Sequence, residues 1–396
     1  MEKNKLLISI LFFTISIFIL NGCNNSYSKI NSDKNLIAFP SSSKYYSNHS
    51  YSNKIKWGFI DKTGKVIVKP KYDRALDSSD GLAVILLNGK YGYINSNGEI
   101  AIKPKFEQAF SFKNGVAEVA INNKAAYINK AGKFIVKPKY TIVSHTHNKM
   151  IVVAKDNKYG FINLNGKMIA KPQYDYISSF SEGLAAIKLY NRYGYISING
   201  NITIKPQFEN ASSFSNGFAG VEVNNKWGFI DTNGNMIIKP QYDTILPFSQ
   251  GLAGVEINNK WGFINTKGNM ITKLQYDNVA YFNENLTGNL SAFNENLAGV
   301  EVNNKWGFID TNGNMVIKPQ FTFISSHFSN GLALVRKDNG NDPQYEYINK
   351  VGNYIFKPNL KYAQLFSNNL ALVSTDKINF EYINSKGIIV YKLKNN

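Results

Sequence analysis

Sulfur is nearly absent from this chain. Cys23 is the only cysteine among 396 residues, which excludes an intramolecular disulfide framework and a cysteine-based zinc cluster, since both need several sulfur atoms converging on one place. Rigidity must come from packing. Histidine is scarce at four residues, and acid is short against base, 27 Asp and Glu facing 45 Lys and Arg for a formal charge of +18. Such a surface attracts polyanions without choosing among nucleic acid, membrane and acidic glycan. Apolar material is plentiful: 43% hydrophobic residues with 14% aromatics exclude global disorder and suffice for the core of two or three domains or one long array.

The N-terminus reads as an address. Lys3 and Lys5 precede a run from Leu6 to Leu20 broken only by Ser9, Thr14 and Ser16, too short for a comfortable bilayer span and placed behind positive charge. The run closes on Leu20-Asn21-Gly22-Cys23, which resembles the bacterial lipobox, where a small residue precedes a cysteine that is lipidated and becomes the new N-terminus. Asn21 departs from the residue usual at its place. The resemblance implies a signal peptide over 1–22 and a mature chain acylated at Cys23. Its loss removes Lys3, Lys5 and Glu2, so the charge falls only to +17 and the basic character belongs to the mature protein. From Asn24 to Asn53, nine of thirty residues are Ser and six are Asn, too polar to bury a core. Residues 23–54 are expected to be a tether, the alternative being that Ile37, Phe39, Tyr45 and Tyr46 pair with the first repeat as an irregular cap.

Residues 55–396 are one repeat. An aromatic marker slot recurs at Trp57, Tyr91, Ala125, Tyr159, Tyr193, Trp227, Trp261, Trp306, Tyr345 and Phe380; six intervals are 34 residues, followed by 45, 39 and 35. A fixed period means supersecondary units too small to bury their own apolar face, so neighbours must stack. The 45-residue interval contains Phe282-Asn283-Glu284-Asn285-Leu286 and again Phe293-Asn294-Glu295-Asn296-Leu297, a local duplication of eleven residues expected to loop out.

Within a unit the turns mark the strands. Phe218 to Val223 leads through Asn224-Asn225 to Lys226–Ile230, then through Asp231-Thr232-Asn233-Gly234 to Met236–Lys239-Pro240. The Asn-Asn pair suits a two-residue hairpin with positive φ at both positions. In the second turn an acceptor side chain precedes Gly by three residues in every unit, which lets Gly take the left-handed position. Each unit is thus a three-stranded antiparallel meander. Lys-Pro, present in eight units, is expected to end its third strand because proline donates no hydrogen bond. The aromatic two residues later, as at Tyr72 or Tyr242, should staple neighbours together. On the marker strand Trp227 and Phe229 share one face, Gly228 and Ile230 the other. Gly228 is expected to admit the close approach of a stacked unit. Glu346 and Glu381 replace this glycine in the last two units, which should make that end a cap.

At these residues the chain is similar to bacterial WG-repeat (KWG-repeat) proteins, whose units carry Trp-Gly-Phe-Ile-Asp, then x-x-Gly, Lys-Pro-x-Tyr and Phe-Ser-x-Gly-Leu-Ala; the likeness covers some 340 residues. The hairpin pattern also resembles cell-wall-binding repeats, which implies a β-hairpin solenoid and, weakly, a ligand class. The family brings no catalytic residues to carry over. The expected fold is all-β, a tandem array of about ten 34-residue antiparallel β-meanders forming an open β-solenoid. The alternative, a β-propeller, is set second because 34 residues make a small blade and ten exceeds the usual four to eight.

A catalyst needs unlike groups converging once, whereas here the polar residues recur in fixed slots. Asp61, Asp231 and Asp310 alternate with Asn95, Asn163 and Asn265, so hydrogen-bond capacity rather than charge is what the slot requires. His145 and His147, two apart, lack a third ligand type, and no metal or cofactor is expected. The irregular places an enzyme site would need are this pair and the insert from Arg336 to Gln344. The lysines are the most informative feature: one set precedes the marker (Lys56, Lys90, Lys226, Lys260, Lys305) and another precedes proline (Lys69, Lys103, Lys205, Lys239, Lys318). They either protect sheet edges or bind a polyanion, with Lys205, Lys239 and Lys318 as the named candidates. The reading is a monomeric, non-catalytic, lipid-anchored scaffold of the bacterial cell envelope, at the outer membrane or cell surface, held to the membrane by its N-terminal lipid. Its partner would be an anionic envelope or host glycan or another protein, with no nucleic acid. A purely structural envelope protein, and behind it an enzyme, are the alternatives.

Overall fold

The computed structural model describes residues 35–42, 44–47, 55–122, 124–140, 142–145, 150–283, 290–339, 342–356 and 359–394. The expected signal peptide and Cys23 lie outside them. Apart from one turn of helix at Lys44–Ser47, regular structure is all strand. Among the described residues it forms ten small antiparallel sheets, nine holding a marker slot within a strand and the tenth beginning its marker strand just after Phe380, with an eleventh two-stranded piece inside the duplication.

A typical sheet, the sixth, orders Asn210–Ala211, Phe218–Val223, Lys226–Asp231 and Met236–Tyr242 side by side in chain order. The expected three-strand meander is therefore present with a short fourth strand added from the link. Asn224 and Asn225 carry φ of 53° and 58°, as the two-residue hairpin requires. Asp231 Oδ1 accepts the backbone N–H of Asn233 and Asn235, both at 2.9 Å, and Gly234 has φ +87°. Asn163 makes the same two bonds at 3.0 Å, so the carboxylate charge is dispensable there.

Lys-Pro does not end the third strand. Trp227 pairs with Tyr242 and Phe229 with Ile238, so three residues, Lys239-Pro240-Gln241, oppose the single Gly228 as a bulge. The strand continues because it is the sheet edge, where a missing N–H faces no partner. This bulge also corrects the role expected of Gly228. A Cβ there would lie 2.4 Å from the Ile238 carbonyl oxygen and 2.7 Å from Pro240 N; the close approach is to its own sheet, not to a neighbouring unit. Ala126 occupies the same slot in the third sheet with the register kept. Glu346 does not keep it: the strand Asp342–Asn349 meets the chain beyond it only in isolated bridges, Tyr345 to Leu360 and Ile348 to Tyr354.

Contact between units is made by the turn glycine instead. A Cβ on Gly234 would touch Ile204 of the preceding sheet at 3.2 Å, and one on Gly98 would touch Val68 at 2.5 Å. The buried aromatics staple as expected: Tyr242 packs with Ala253, Val255 and Ile264 of the next sheet. Ile230, on the other face of the marker strand, packs with Leu184 and Tyr195 of the sheet before. The duplication also resolves as expected. Phe282–Asn283 forms a side hairpin with Leu290–Ser291, while the second copy supplies Phe293, buried against Phe263 with centroids 5.1 Å apart.

The open solenoid is overturned: the array closes on itself as a ten-blade β-propeller, the expected alternative. Ten apolar clusters fill ten interfaces, where an open array of ten units would have nine. The tenth joins Ile37, Phe39 and Ile60 of the first blade to Leu370, Leu372, Phe380 and Tyr382 of the last. Ile37–Pro40 pairs with Trp57–Ile60 in the place that Gly-Leu-Ala strands hold elsewhere, so this stretch of the Ser/Asn-rich segment is a blade strand, as the cap alternative had it for Ile37 and Phe39. The Tyr382 hydroxyl donates to the Ala38 carbonyl at 3.0 Å, a buried bond. Ser367 Oγ donates to Asp77 at 2.6 Å, and Asp77 also accepts the Ala38 N–H at 2.9 Å. Burial of Asp77 outweighs these bonds and raises its pKa above the usual carboxylate value. The physical reason for closure is that each unit carries two apolar faces. Open ends would leave the faces of Ile60 and Tyr382 in water, and the atypical terminal units are a seam, not caps.

Candidate functional site

The closed ring leaves the same edge strand partly exposed in blade after blade. Its pattern is fixed by the bulge: in Met236–Tyr242, Ile238 and Tyr242 are buried while Met236, Ile237, Lys239 and Gln241 are exposed. Lys205 and Lys318 hold the same exposed place in Ile202–Phe208 and Met315–Phe321. None of these three lysines makes an ion pair or hydrogen bond among the described residues. They belong to the fifth, sixth and eighth blades, one arc of the rim.

The other lysine set behaves differently. Lys56, Lys226 and Lys260 reach Asp73, Asp243 and Asp277 at 2.5 Å, and Lys158 pairs with Asp175. Asp73, Asp243 and Asp277 also accept hairpin N–H groups from Asn88, Asn258 and Asn303 at 3.0, 2.9 and 2.8 Å. The lysine hydrogen bond is the main cause holding Asp175, Asp243 and Asp277 below the ordinary carboxylate range. Exposed pairs of this kind add little stability, but they consume the cation. Of the set before the marker, Lys90 and Lys305 make no such pair among the described residues and stay exposed, as Lys205, Lys239 and Lys318 do.

The irregular candidates do not converge. His145 ends the strand Ile142–His145, paired with Ile151, and His147 lies outside the described residues. Among the described residues no group of three or more His, Cys, Asp or Glu could hold a metal. The Arg336–Gln344 insert lengthens a hairpin, Leu332–Asn339 with Asp342–Asn349. There Arg336 pairs with Asp338 at 3.0 Å and Lys337 lies over the Phe321 and Tyr354 rings at 5.6 and 4.9 Å. Glu118, raised in pKa by burial, is satisfied by the Tyr127 hydroxyl at 3.0 Å. A groove of about 470 Å³ opens between the sixth and seventh blades, lined by Tyr242, Ile257, Met270, Lys273 and Leu274, with no carboxylate or histidine in its lining. Among the described residues no helix is long and apolar enough to cross a membrane.

One group was missed in the sequence. Tyr176 and Tyr193 meet near the hairpin end of the fifth blade, and Tyr190, in that hairpin, is 86% exposed. The signal was available, since Tyr190 occupies a hairpin slot that other units fill with Asn or Asp.

A family model described as a WG containing repeat matches the chain at 57–91, 91–124, 126–159, 159–193, 193–227, 227–261, 261–289, 288–306, 306–340 and 347–377. Comparison with curated proteins gives no match. Among solved structures, a crystal structure of the eukaryotic initiation factor is similar with a TM-score of 0.51 at 13% identity, over 78% of this chain and 94% of that one. Weaker likenesses include BamB from Moraxella catarrhalis, with a TM-score of 0.36 at 9% identity over 73% and 88%, and Hsv2 of Kluyveromyces lactis, with 0.36 at 10% over 63% and 96%. At these identities the first of them speaks to the fold alone.

Proposed function

The chain belongs to the family of WG containing repeats, and on that premise we propose that it is a non-catalytic binding or adhesion scaffold of the bacterial cell envelope. It is anchored by a lipid on Cys23, works as a monomer without cofactor, and binds an anionic glycan or envelope polymer rather than nucleic acid. The observation that supports this reading is the set Lys205, Lys239 and Lys318, exposed and unpaired among the described residues, whereas Lys56, Lys226 and Lys260 before the marker are neutralised in place. Cations repeated from blade to blade match a polymer whose anionic groups also repeat, and weak contacts add as avidity.

Heparin and isolated cell wall are the probes. Changing Lys205, Lys239 and Lys318 to Gln should lower affinity stepwise and flatten its dependence on salt, with the melting curve unchanged. Binding that ignores both salt and these substitutions would leave the lysines as edge protection. The anchor is tested separately. Cys23→Ser should release the protein from membranes and stop processing, and unchanged lipid labelling of that variant would refute it.

A second reading, a purely structural envelope protein, is supported by how many recurring polar groups are spent inside the ring, in Asx turns and Lys–Asp pairs. A parent protein that binds neither probe favours it.

A further inference from the structure

Every described two-residue hairpin before a marker strand needs positive φ, and the other blades meet that need with Asn, Asp or Gly: Asn88-Gly89, Asp156-Asn157, Asn224-Asn225, Asn258-Asn259 and Asn303-Asn304. In the fifth blade the first of the two is Tyr190, at φ +50°. A bulky aromatic in that region is strained, where Asn is tolerated because its short polar side chain bonds locally. Strain of this kind is normally offset by packing, yet Tyr190 is 86% exposed. It gains nothing from the core and adds strain to the turn. Strain that the fold does not need points to use.

What surrounds Tyr190 defines the use. Its backbone N–H bonds to Asp175, which sets it beside Tyr176, 43% exposed. Tyr176 in turn stands edge-on to the Tyr193 ring, with centroids 6.1 Å apart and planes at 67°. Lys188, the cross-strand partner of Tyr176, carries its ammonium 5.3 Å from the centroid of the Tyr193 ring. The third strand of the same blade brings Lys205, whose backbone lies against Gly194, the residue after Tyr193. The Tyr176 and Tyr193 rings and the Lys188 ammonium thus sit together, with the exposed Tyr190 in the adjoining hairpin and Lys205 on the neighbouring strand.

We propose that Tyr176, Tyr190 and Tyr193, flanked by Lys188 and Lys205, form a subsite that stacks a sugar ring of an anionic polysaccharide. Aromatic faces take the C–H side of a pyranose and the lysines take its carboxylate or sulfate. Apolar partners would leave the ammonium groups without a role, and a simple polyanion would leave the rings without one. The inference rests on the reading of the chain as an anionic-glycan binder and gives that reading a place.

The test uses two variants that restore residues other blades carry in the same slots, Tyr190→Asn and Tyr176→Asn, so the fold has a precedent for each. The probes are a size-defined heparin oligosaccharide and inorganic polyphosphate, a polyanion without sugar. Each variant should weaken heparin binding roughly five- to tenfold, the size expected of one lost aromatic contact, and leave polyphosphate binding within about a factor of two. Lys205→Gln should weaken both. Heparin affinity unchanged in both tyrosine variants, while the lysine variant loses it, overturns the subsite and leaves the glycan reading standing. A parent that binds neither probe overturns both. The melting temperature of Tyr190→Asn is the second measurement: it should equal or exceed the parent's, and a clear fall would show that Tyr190 serves the fold and refute the proposal.

Discussion

Gly64→Ala should weaken the seam between the first and tenth blades by about 2–5 kcal/mol. Two effects add at this position. Gly64 has φ +85°, where any L side chain costs roughly 1–2 kcal/mol. Its missing Cβ would also lie 2.0 Å from the carbonyl oxygen of Val390, a backbone atom that has no rotamer to escape into, and overpacking of that kind typically costs about 1–3 kcal/mol. Gly81 separates the two. It has φ +83° but nothing within 4 Å of its Cβ position, so Gly81→Ala should lose only the backbone part. Denaturant unfolding of both variants checks the difference. Equal losses would mean that the last blade does not press on Gly64.

Phe39→Ala should cost about 3–5 kcal/mol, the usual range for emptying a buried phenylalanine site. Phe39 is 3% exposed and packs with its ring 5.0 Å from that of Tyr391, some 350 residues away in the chain. A residue on a solvated tether would change stability by no more than about 0.5 kcal/mol. The size of the loss therefore decides whether Ile37–Pro40 is a blade strand. A drop confined to the smaller figure would return the segment to the tether it resembles in composition.

The two variants also show which parts of the fold were legible in the sequence. Hairpins, Asx turns, the stapling aromatics and the number of units could be read because each is a local device written nearly ten times. Closure could not, because it depends on small rotations between units that accumulate around the array, and no single motif encodes them. One clue was present. The first unit has no Gly-Leu-Ala strand before Trp57, and Leu36 to Pro40 is the apolar stretch that replaces it, hidden among serines and asparagines. Gly228 was read correctly as a close-contact residue but given the wrong neighbour, because a bulge at Lys239-Pro240 is invisible to a rule that ends strands at proline. The two lysine sets look alike in sequence and differ in structure. What separates them is the acid seventeen residues after Lys56, Lys158, Lys226 and Lys260, a spacing that becomes meaningful only once the first and last residues of the paired strands are known to be adjacent. The tyrosine group went unread for a related reason: Tyr190 departs from the repeat at a single position, and only its backbone conformation and exposure make that departure informative.

Closure of the ring is the claim on which the seam, the rim and the arc of lysines all depend. Because Cys23 is the chain's only cysteine, spin labels can be placed at will in a Cys23→Ser background. Labels at Thr63 and Ile388, both exposed and flanking the Gly64–Val390 contact, report the seam. Labels at Lys65 and Asn97 report the equivalent contact between the first and second blades, where Gly98 meets Val68. Pulsed dipolar distances should be the same for the two pairs, each in one narrow population. A seam distance far longer than the neighbouring-blade distance would contradict the ring and restore the open array.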